Sequence, residues 1–528
     1  MSRRWRFATV VAVVGGALVV VPSAFARSAA VPVLHWTSCG DAGALCTTAW
    51  VPIDYDHPDG RKIRLFVAKS PATQPGRRIG SLFYNFGGPG GTASDALEAL
   101  GADLFPKLNE RFDIIAMDPR GVPRSLPALD CHVNQETQGL YRQPFPRPHN
   151  LNVRRLIRTD RFYNNRCIRL NSSGILAHLS TANVAHDLDL LRQAVGDPKL
   201  TYLGYSYGTF LGATYGALFP DRYRALLLDG PLNAVQYLND PLANLSHQST
   251  GFEVALGRFL AACKTNQVAC AHFGGNNPRR ALDRLIARLD RSPLPVPGAD
   301  PRFVNGDNVR LAIALPLYVK GLWGFLGQAL ADAQHGDVSM LRLLTDISYG
   351  RAEDGSYDPG LDRYYLIGAS EQRYPRDVRT YIQAGFRSYR EHPHFWWNNG
   401  FVELQYGMYP IRDADAYYGP FGLPFSSPKA LLVATTFDPA TPYGGALGLL
   451  RSLGNARLLT MRGDGHTAYP GNSPCIDRAV EAYLIRLVLP PRGKTCVQQV
   501  PFEPLGASAA RTGADRLAQL RVPLLIRR

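Results

Sequence analysis

Seven short apolar runs set the strongest limit on what this chain can become. They are RLFVAKS (64–70), GSLFYNFG (80–87), FDIIAMD (112–118), LTYLGY (200–205), ALLLDG (225–230), ALLVATT (430–436) and ARLLTMRG (456–463). Most end in Gly, Asp or Asn, and helix-like segments such as 181–196 and 475–489 follow them. A strand that is apolar on both faces must be covered on both faces. Alternation with helices supplies that cover, so the pattern predicts a mainly parallel α/β sheet flanked by helices.

The rhythm breaks between 233 and 425. Helical patterns such as PRRALDRLIARLD dominate there, with aromatic clusters (HFWWNNGF, YGMYPIRDADAYYGPFG) and the Pro-rich RSPLPVPGADP. This segment reads as a mostly helical cap inserted between two halves of one sheet domain, 27–232 and 426–500. The Arg- and Leu-rich residues 501–528 read as a loosely attached tail. A 528-residue chain that is 45% hydrophobic and 19% charged can bury a large core and is not globally disordered.

Residues 1–26 predict export. A basic MSRRWR precedes the apolar FATVVAVVGGALVVV, and Ala24-Phe25-Ala26 gives a small-x-small cleavage pattern. The apolar run is short and interrupted by glycine, which argues against a stable membrane span. Arg3-Arg4 suits twin-arginine export, although Arg6 stands where that signal usually has Phe, so general export fits equally. The expected location is secreted, periplasmic or cell-envelope. Eight cysteines fall as neighbours, Cys39/Cys46, Cys131/Cys167, Cys263/Cys270 and Cys475/Cys496, and in an oxidising compartment they predict four nearest-neighbour disulfides. No CxxC or HExxH occurs, so no metal site and no cofactor is expected. The net charge of +15 is scattered over the chain without basic blocks, so no nucleic-acid partner is expected. A monomer is anticipated.

The pentapeptide Gly204-Tyr205-Ser206-Tyr207-Gly208 carries the chemistry. It follows an apolar run and opens a small-residue helical segment, the context in which G-x-S-x-G lifts a serine onto a strained strand-to-helix turn of an α/β-hydrolase fold. A serine nucleophile needs a base and an acid that orients it, in the chain order Ser, Asp or Glu, His. His466, in MRGDGHTAY after the last apolar run, is the expected base; His392 and His394 belong to the cap's aromatic cluster and read as packing or surface residues. Asp438, in the Pro-rich FDPATP, is preferred as the acid over its rival Asp229, with Thr441 placed to bond near it. The Tyr207 N–H is one expected oxyanion donor, and Gly87 or Gly88 of YNFGGPGG the other. Asp118 and Arg120 of MDPRG read as a structural turn with an internal ion pair.

In this order, FGGPGG, MDPRG, TANVAHDLDLLRQAVG, GYSYGT, DPATP and GDGHTAY resemble secreted α/β-hydrolases related to tripeptidyl aminopeptidases and proline iminopeptidases. Residues 431–496 resemble the C-terminal region of tripeptidyl-aminopeptidase-like proteins nearly throughout. The resemblance implies Ser206, Asp438 and His466 as the triad. It also implies removal of short peptides from a free N-terminus, with an ester-cleaving enzyme on the same triad as the alternative. It further implies a cap carboxylate that holds the substrate's ammonium group. GASEQRYP nominates Glu371 and leaves Glu403 in reserve. The chain departs from the family at Ala369, where relatives often carry Cys, at QYGMYP, which lacks the partner Cys and the Trp, and at Pro123.

Overall fold

The computed structural model describes residues 29–296 and 302–505. The expected signal segment 1–26 and nearly all of the tail lie outside the described residues.

Ten strands form one sheet: β1 (Thr37–Cys39), β2 (Ala44–Pro52), β3 (Lys62–Ser70), β4 (Gly80–Asn85), β5 (Phe112–Asp118), β6 (Leu200–Tyr205), β7 (Tyr223–Asp229), β8 (Ala430–Phe437), β9 (Ala456–Asp464) and β10 (Thr495–Val497). Their order across the sheet is β1-β2-β3-β5-β4-β6-β7-β8-β9-β10. Pairing is antiparallel from β1 to the β3/β5 contact and parallel from β5 to β10. All seven apolar runs are strands, β3 to β9. Sequence missed β1, β2 and β10. In β2, Thr48 and Trp50 face solvent, so it lacks the continuous apolar run of a doubly covered strand.

The apolar runs separate by period 2 onto two faces. Leu82, Tyr84, Leu203, Leu227 and Leu431 pack on one face with the helix Pro474–Arg486. Phe83, Tyr202, Leu226, Leu228 and Leu432 pack on the other with the helices Thr181–Ala194 and Tyr207–Leu218. All six residues of β6 are buried, Thr201 included.

Between β7 and β8 the chain is mostly helical, with one short antiparallel ladder of Leu294–Pro295 against Phe303–Val304, and builds a core of its own around Phe259, Leu311, Trp323, Leu326 and Trp396. Sequence did not foresee a second contributor. Residues 131–170, between β5 and the helix Thr181–Ala194, dock against this helical layer. The Asp362 carboxylate accepts from the Cys131 N–H at 3.0 Å and from Gln135 Nε2 at 2.8 Å. Phe145 enters the helical core, and its N–H donates to Asp307 at 2.9 Å.

The four disulfides join the expected neighbours. Among the described residues, no helix is long and apolar enough to cross a membrane. The ion pair at MDPRG differs from expectation. Arg120 does not pair with Asp118 but forks onto Asp187 at 2.9 and 2.7 Å, across to the helix Thr181–Ala194. Asp118 instead accepts from the Ala93 and Ser94 N–H groups, and burial pushes its pKa up to about 6.

Candidate active site

Ser206, Asp438 and His466 each follow a strand of the parallel part of the sheet, at the carboxyl edge where open α/β sheets bind ligands. The β6 turn explains its glycines. Ser206 has φ 56° and ψ −125°, a conformation costly for a side-chain-bearing residue. A Cβ on Gly204 would lie 2.2 Å from the Gly208 carbonyl oxygen, and one on Gly208 would lie 2.6 Å from that of Asn85. Glycine at both positions lets the backbone fold this tightly, and the turn presents Ser206 at the N-terminus of the helix Tyr207–Leu218.

His466 is buried, and its Nδ1 faces Asp438 at 2.8 and 2.9 Å. Asp438 also accepts from the N–H groups of Ala440 (2.9 Å) and Thr441 (2.8 Å) and from the Thr441 hydroxyl (3.1 Å). The Pro-rich loop therefore curls around its own carboxylate. Thr441 Oγ1 also lies 3.2 Å from His466 Nδ1. The other ring nitrogen, Nε2, is buried without a hydrogen-bond partner.

Asp229, the rival acid, does not face the imidazole's Nδ1. Its carboxylate accepts the Ala468 and Tyr469 N–H groups at 2.8–3.0 Å, and its carbonyl accepts the Ser206 N–H at 2.9 Å. One residue thus anchors both the serine turn and the histidine loop. That role falls on a strand end with no motif to mark it.

The Gly-rich loop after β4 lies against the same turn. A Cβ on Gly87 would sit 3.0 Å from both Ser206 Cβ and the Tyr207 nitrogen. The Gly87 N–H donates to Asn85 Oδ1 at 2.9 Å, whereas Gly88 lines the cavity beside Ser206 and Tyr207. Of the two glycines, Gly88 is the better-placed donor. Asn85, which holds the loop, sits inside YNFGG and was legible but overlooked.

Residues 85–274 match the family described as alpha/beta hydrolase fold, and residues 420–496 match the one described as TAP-like protein. The chain is 33% identical over 492 residues to serine protease Hip1 of Mycobacterium tuberculosis, covering 88% of this chain and 91% of that protein. The chain belongs to the α/β-hydrolase family. It is also 32% identical over 479 residues to carboxylesterase B of M. tuberculosis (88% and 90% covered). To the tripeptidyl aminopeptidase of Streptomyces coelicolor it is 29% identical over 483 residues (89% and 87% covered). All three are hydrolases by name, and this α/β-hydrolase is a serine hydrolase.

The cavity at Ser206 has a volume of about 190 Å³. Its walls are aromatic and aliphatic, including Phe252, Leu311, Leu361 and Trp397, with carboxamides such as Asn233 and Gln248. Among the described residues, none lining it is Asp, Glu, Lys or Arg, and one histidine, His247, stands at the wall. Neither Glu371 nor Glu403 is at the wall; both stand behind it. Glu371 accepts from the Thr181 N–H at 2.8 Å, the Thr181 hydroxyl at 3.1 Å and the wall residue Tyr237 at 3.4 Å. Burial pushes its pKa up to about 8, against the lowering effect of those donors. Glu403 accepts from the Gly400 N–H at 2.8 Å, while its Oε1 is buried without a partner, and burial raises its pKa well above the ordinary value. His392 and His394 are packed in the cap, His394 between Glu253 and Asp283 at 3.0 Å each.

Proposed function

We propose that this serine hydrolase is an exported aminopeptidase that releases short peptides, tripeptides in the first instance, from free N-termini. The observation that carries the catalytic assignment is the state of His466: Nδ1 is held by Asp438, while Nε2 is buried and free to accept a proton. Ser206 Oγ attacks the scissile carbonyl as Nε2 takes its proton, and Asp438 fixes the tautomer and steadies the imidazolium. The Tyr207 N–H, at the first position of its helix and so without an intrahelical acceptor, and the Gly88 N–H stabilise the oxyanion. His466 returns the proton to the leaving amine, and water resolves the acyl-enzyme. None of these steps needs a cofactor.

Glu371 is the proposed ammonium anchor, with Glu403 in reserve. A substrate ammonium arriving at Tyr237 would favour ionisation of the Glu371 carboxyl, which burial alone disfavours. Glu371→Ala is therefore expected to impair cleavage of free-amine peptides and to spare simple esters. Export follows from the disulfides and from the 1–26 segment read as a removed signal.

The uncharged cavity wall favours a second reading, an esterase on the same triad. Pure protein incubated with a free-amine peptide mixture and its N-acetylated copy separates the two. Tripeptides released only from the free-amine set support the aminopeptidase. Cleavage of neither set, with rapid ester hydrolysis, supports the esterase.

A further inference from the structure

The loop that carries His466 hangs between two bodies. On the sheet side, Asp438 holds the ring and accepts the Thr467 N–H, and Asp229 accepts the Ala468 and Tyr469 N–H groups. On the cap side, three consecutive residues of the loop meet one short segment, Tyr318–Lys320, which follows the cap helix Gly306–Leu317. The His466 N–H donates to the Tyr318 carbonyl at 2.7 Å. The Tyr318 ring stands edge-on to the imidazole, with centroids 5.5 Å apart. Gly465, at φ +95°, runs so close that a Cβ there would lie 2.7 Å from the same carbonyl oxygen. Lys320 Nζ donates to Asp464 at 2.9 Å, and Arg258 of the cap helix Pro241–Thr265 bonds both oxygens of that carboxylate. The Lys320 and Asp464 side chains are only 13% and 7% exposed, so solvent screens this pair less than a surface bridge.

One cap residue of this set, Tyr318, also faces the Ser206 cavity. Its ring packs on Phe252, another wall residue, at 5.4 Å. We infer that Tyr318, Lys320 and Arg258 are positioning residues for His466: the docked cap completes the register of the base, in addition to shaping the pocket. The inference rests on the assignment of Ser206 and His466 above. Its physical basis is that a displacement of about 1 Å at a reacting group can cost on the order of 10²-fold in rate.

The test uses the full-length protein and p-nitrophenyl acetate, a substrate small enough to draw little binding from the cap. Lys320→Met keeps the length of the side chain and removes the ammonium, which stands 3.4 Å from the Trp323 ring centroid and is one of the two charges, with Arg258, that hold Asp464. It is expected to lower kcat about tenfold or more with KM within about twofold, as partial loss of that positioning requires. Lys320→Arg should restore most of the loss. The rate of labelling by a fluorophosphonate should fall in parallel with kcat. Arg342→Met is the control: it breaks the buried cap pairs to Glu136 and Asp346, at 2.7 and 2.6 Å, which make no contact with the histidine loop. It should lower thermal stability and leave kcat unchanged. The inference is overturned if Lys320→Met retains wild-type kcat, or if Arg342→Met lowers kcat as much. Failure of the underlying assignment looks different: Ser206→Ala would then keep its ester turnover and its labelling.

Discussion

Asp438→Asn separates the two carboxylates that compete for the role of orienting acid. In the native site Oδ1 accepts the Ala440 and Thr441 N–H groups, Oδ2 accepts the Thr441 hydroxyl, and His466 Nδ1 lies 2.9 Å from Oδ1 and 2.8 Å from Oδ2. Two backbone N–H groups on Oδ1 at 2.8–2.9 Å outweigh the one on Oδ2, from Thr467 at 3.3 Å, and favour the asparagine oxygen in the Oδ1 position. Its NH2 then occupies the Oδ2 position and points a donor at Nδ1. The imidazole must answer as an acceptor there, which moves its proton to Nε2. Nε2, now a donor, no longer takes the Ser206 proton. A wrong tautomer of this kind costs a catalytic triad about 10⁴-fold in kcat, roughly 5.5 kcal/mol of transition-state stabilisation. The assay is steady-state ester hydrolysis, paired with the fluorophosphonate labelling rate of Ser206 and a melting curve that shows the variant folded. Asp229→Asn is made alongside. An amide oxygen at the Oδ2 position still accepts both loop N–H groups, but the NH2 then faces the Ala468 N–H donor to donor, so a loss of about 1–3 kcal/mol in stability is expected. A retained kcat in Asp438→Asn, together with a collapse in a folded Asp229→Asn, would refute the tautomer reasoning and pass the role to Asp229.

Other substitutions report on the surroundings of the triad. Gly87→Ala, at φ +103° and with its Cβ 2.7 Å from the Tyr205 carbonyl oxygen, should displace the loop that carries the Gly88 donor and lower kcat about 10²-fold, the cost of losing one oxyanion donor. Gly336→Ala has a similar φ of +104° but open space around it, so it should lower stability by about 1 kcal/mol and leave kcat unchanged in the same assay. Glu371→Gln tests the raised carboxyl. A folded pKa of about 8 against an ordinary 4.5 means that the folded state holds the proton more tightly, so this group's stabilisation is full below about pH 4.5 and is lost as pH rises towards 8. The amide removes that slope, and melting temperatures should show a larger gain over wild type at pH 8.5 than at pH 4.5, on the order of a few kcal/mol at the alkaline end. Arg120→Met leaves the Asp187 carboxylate buried without its charge partner and with only the Tyr55 hydroxyl, at 2.7 Å, still donating to it, which should cost about 3–5 kcal/mol by denaturant titration, with kcat per folded molecule unchanged.

The strands that position the site were legible because each is covered on both faces. A doubly buried strand must be apolar along its whole length, and β6 and β8 advertise themselves for that reason. β2 escaped because one of its faces is partly wet, and β10 because three residues carry no period. The proposed triad could be nominated for a different reason. A serine on a strained turn needs small neighbours within the same five residues, and an acid held by its own loop needs donors within three, so both constraints are local in sequence. The contacts that hold the site in place are not local. The Asp229 carboxylate reaches Ala468 and Tyr469 across some 240 residues, Lys320 reaches Asp464 across 144, and Arg120 finds Asp187 rather than the nearby Asp118. In each case a charged side chain satisfies a partner that only the folded sheet brings near, and nothing in its own neighbourhood distinguishes it from a surface charge.

The same contrast explains why substrate choice is harder to read than chemistry. Ser206, Asp438 and His466 are bound to strand ends, and the sheet fixes those ends. The cavity wall comes from Tyr141 before the triad, from Tyr237, Leu311 and Trp397 in the cap, and from Thr441 beside the acid. No two adjacent elements make it. Its uncharged surface disfavours a substrate ammonium unless a carboxylate just behind the wall can ionise when that charge arrives. Glu371 is poised for this: its pKa is raised by burial, yet three donors already surround its oxygens and would stabilise the anion once formed. Peptide and ester cleavage by this protein should therefore diverge with pH. Ionising Glu371 in the free enzyme, as pH approaches 8, should favour free-amine peptides until the substrate ammonium itself deprotonates at about pH 8, an increment that neutral esters lack. Parallel profiles of kcat/KM for the two substrates above pH 7, compared in wild type and Glu371→Gln, measure that divergence. Superimposable wild-type profiles would remove Glu371 from substrate recognition.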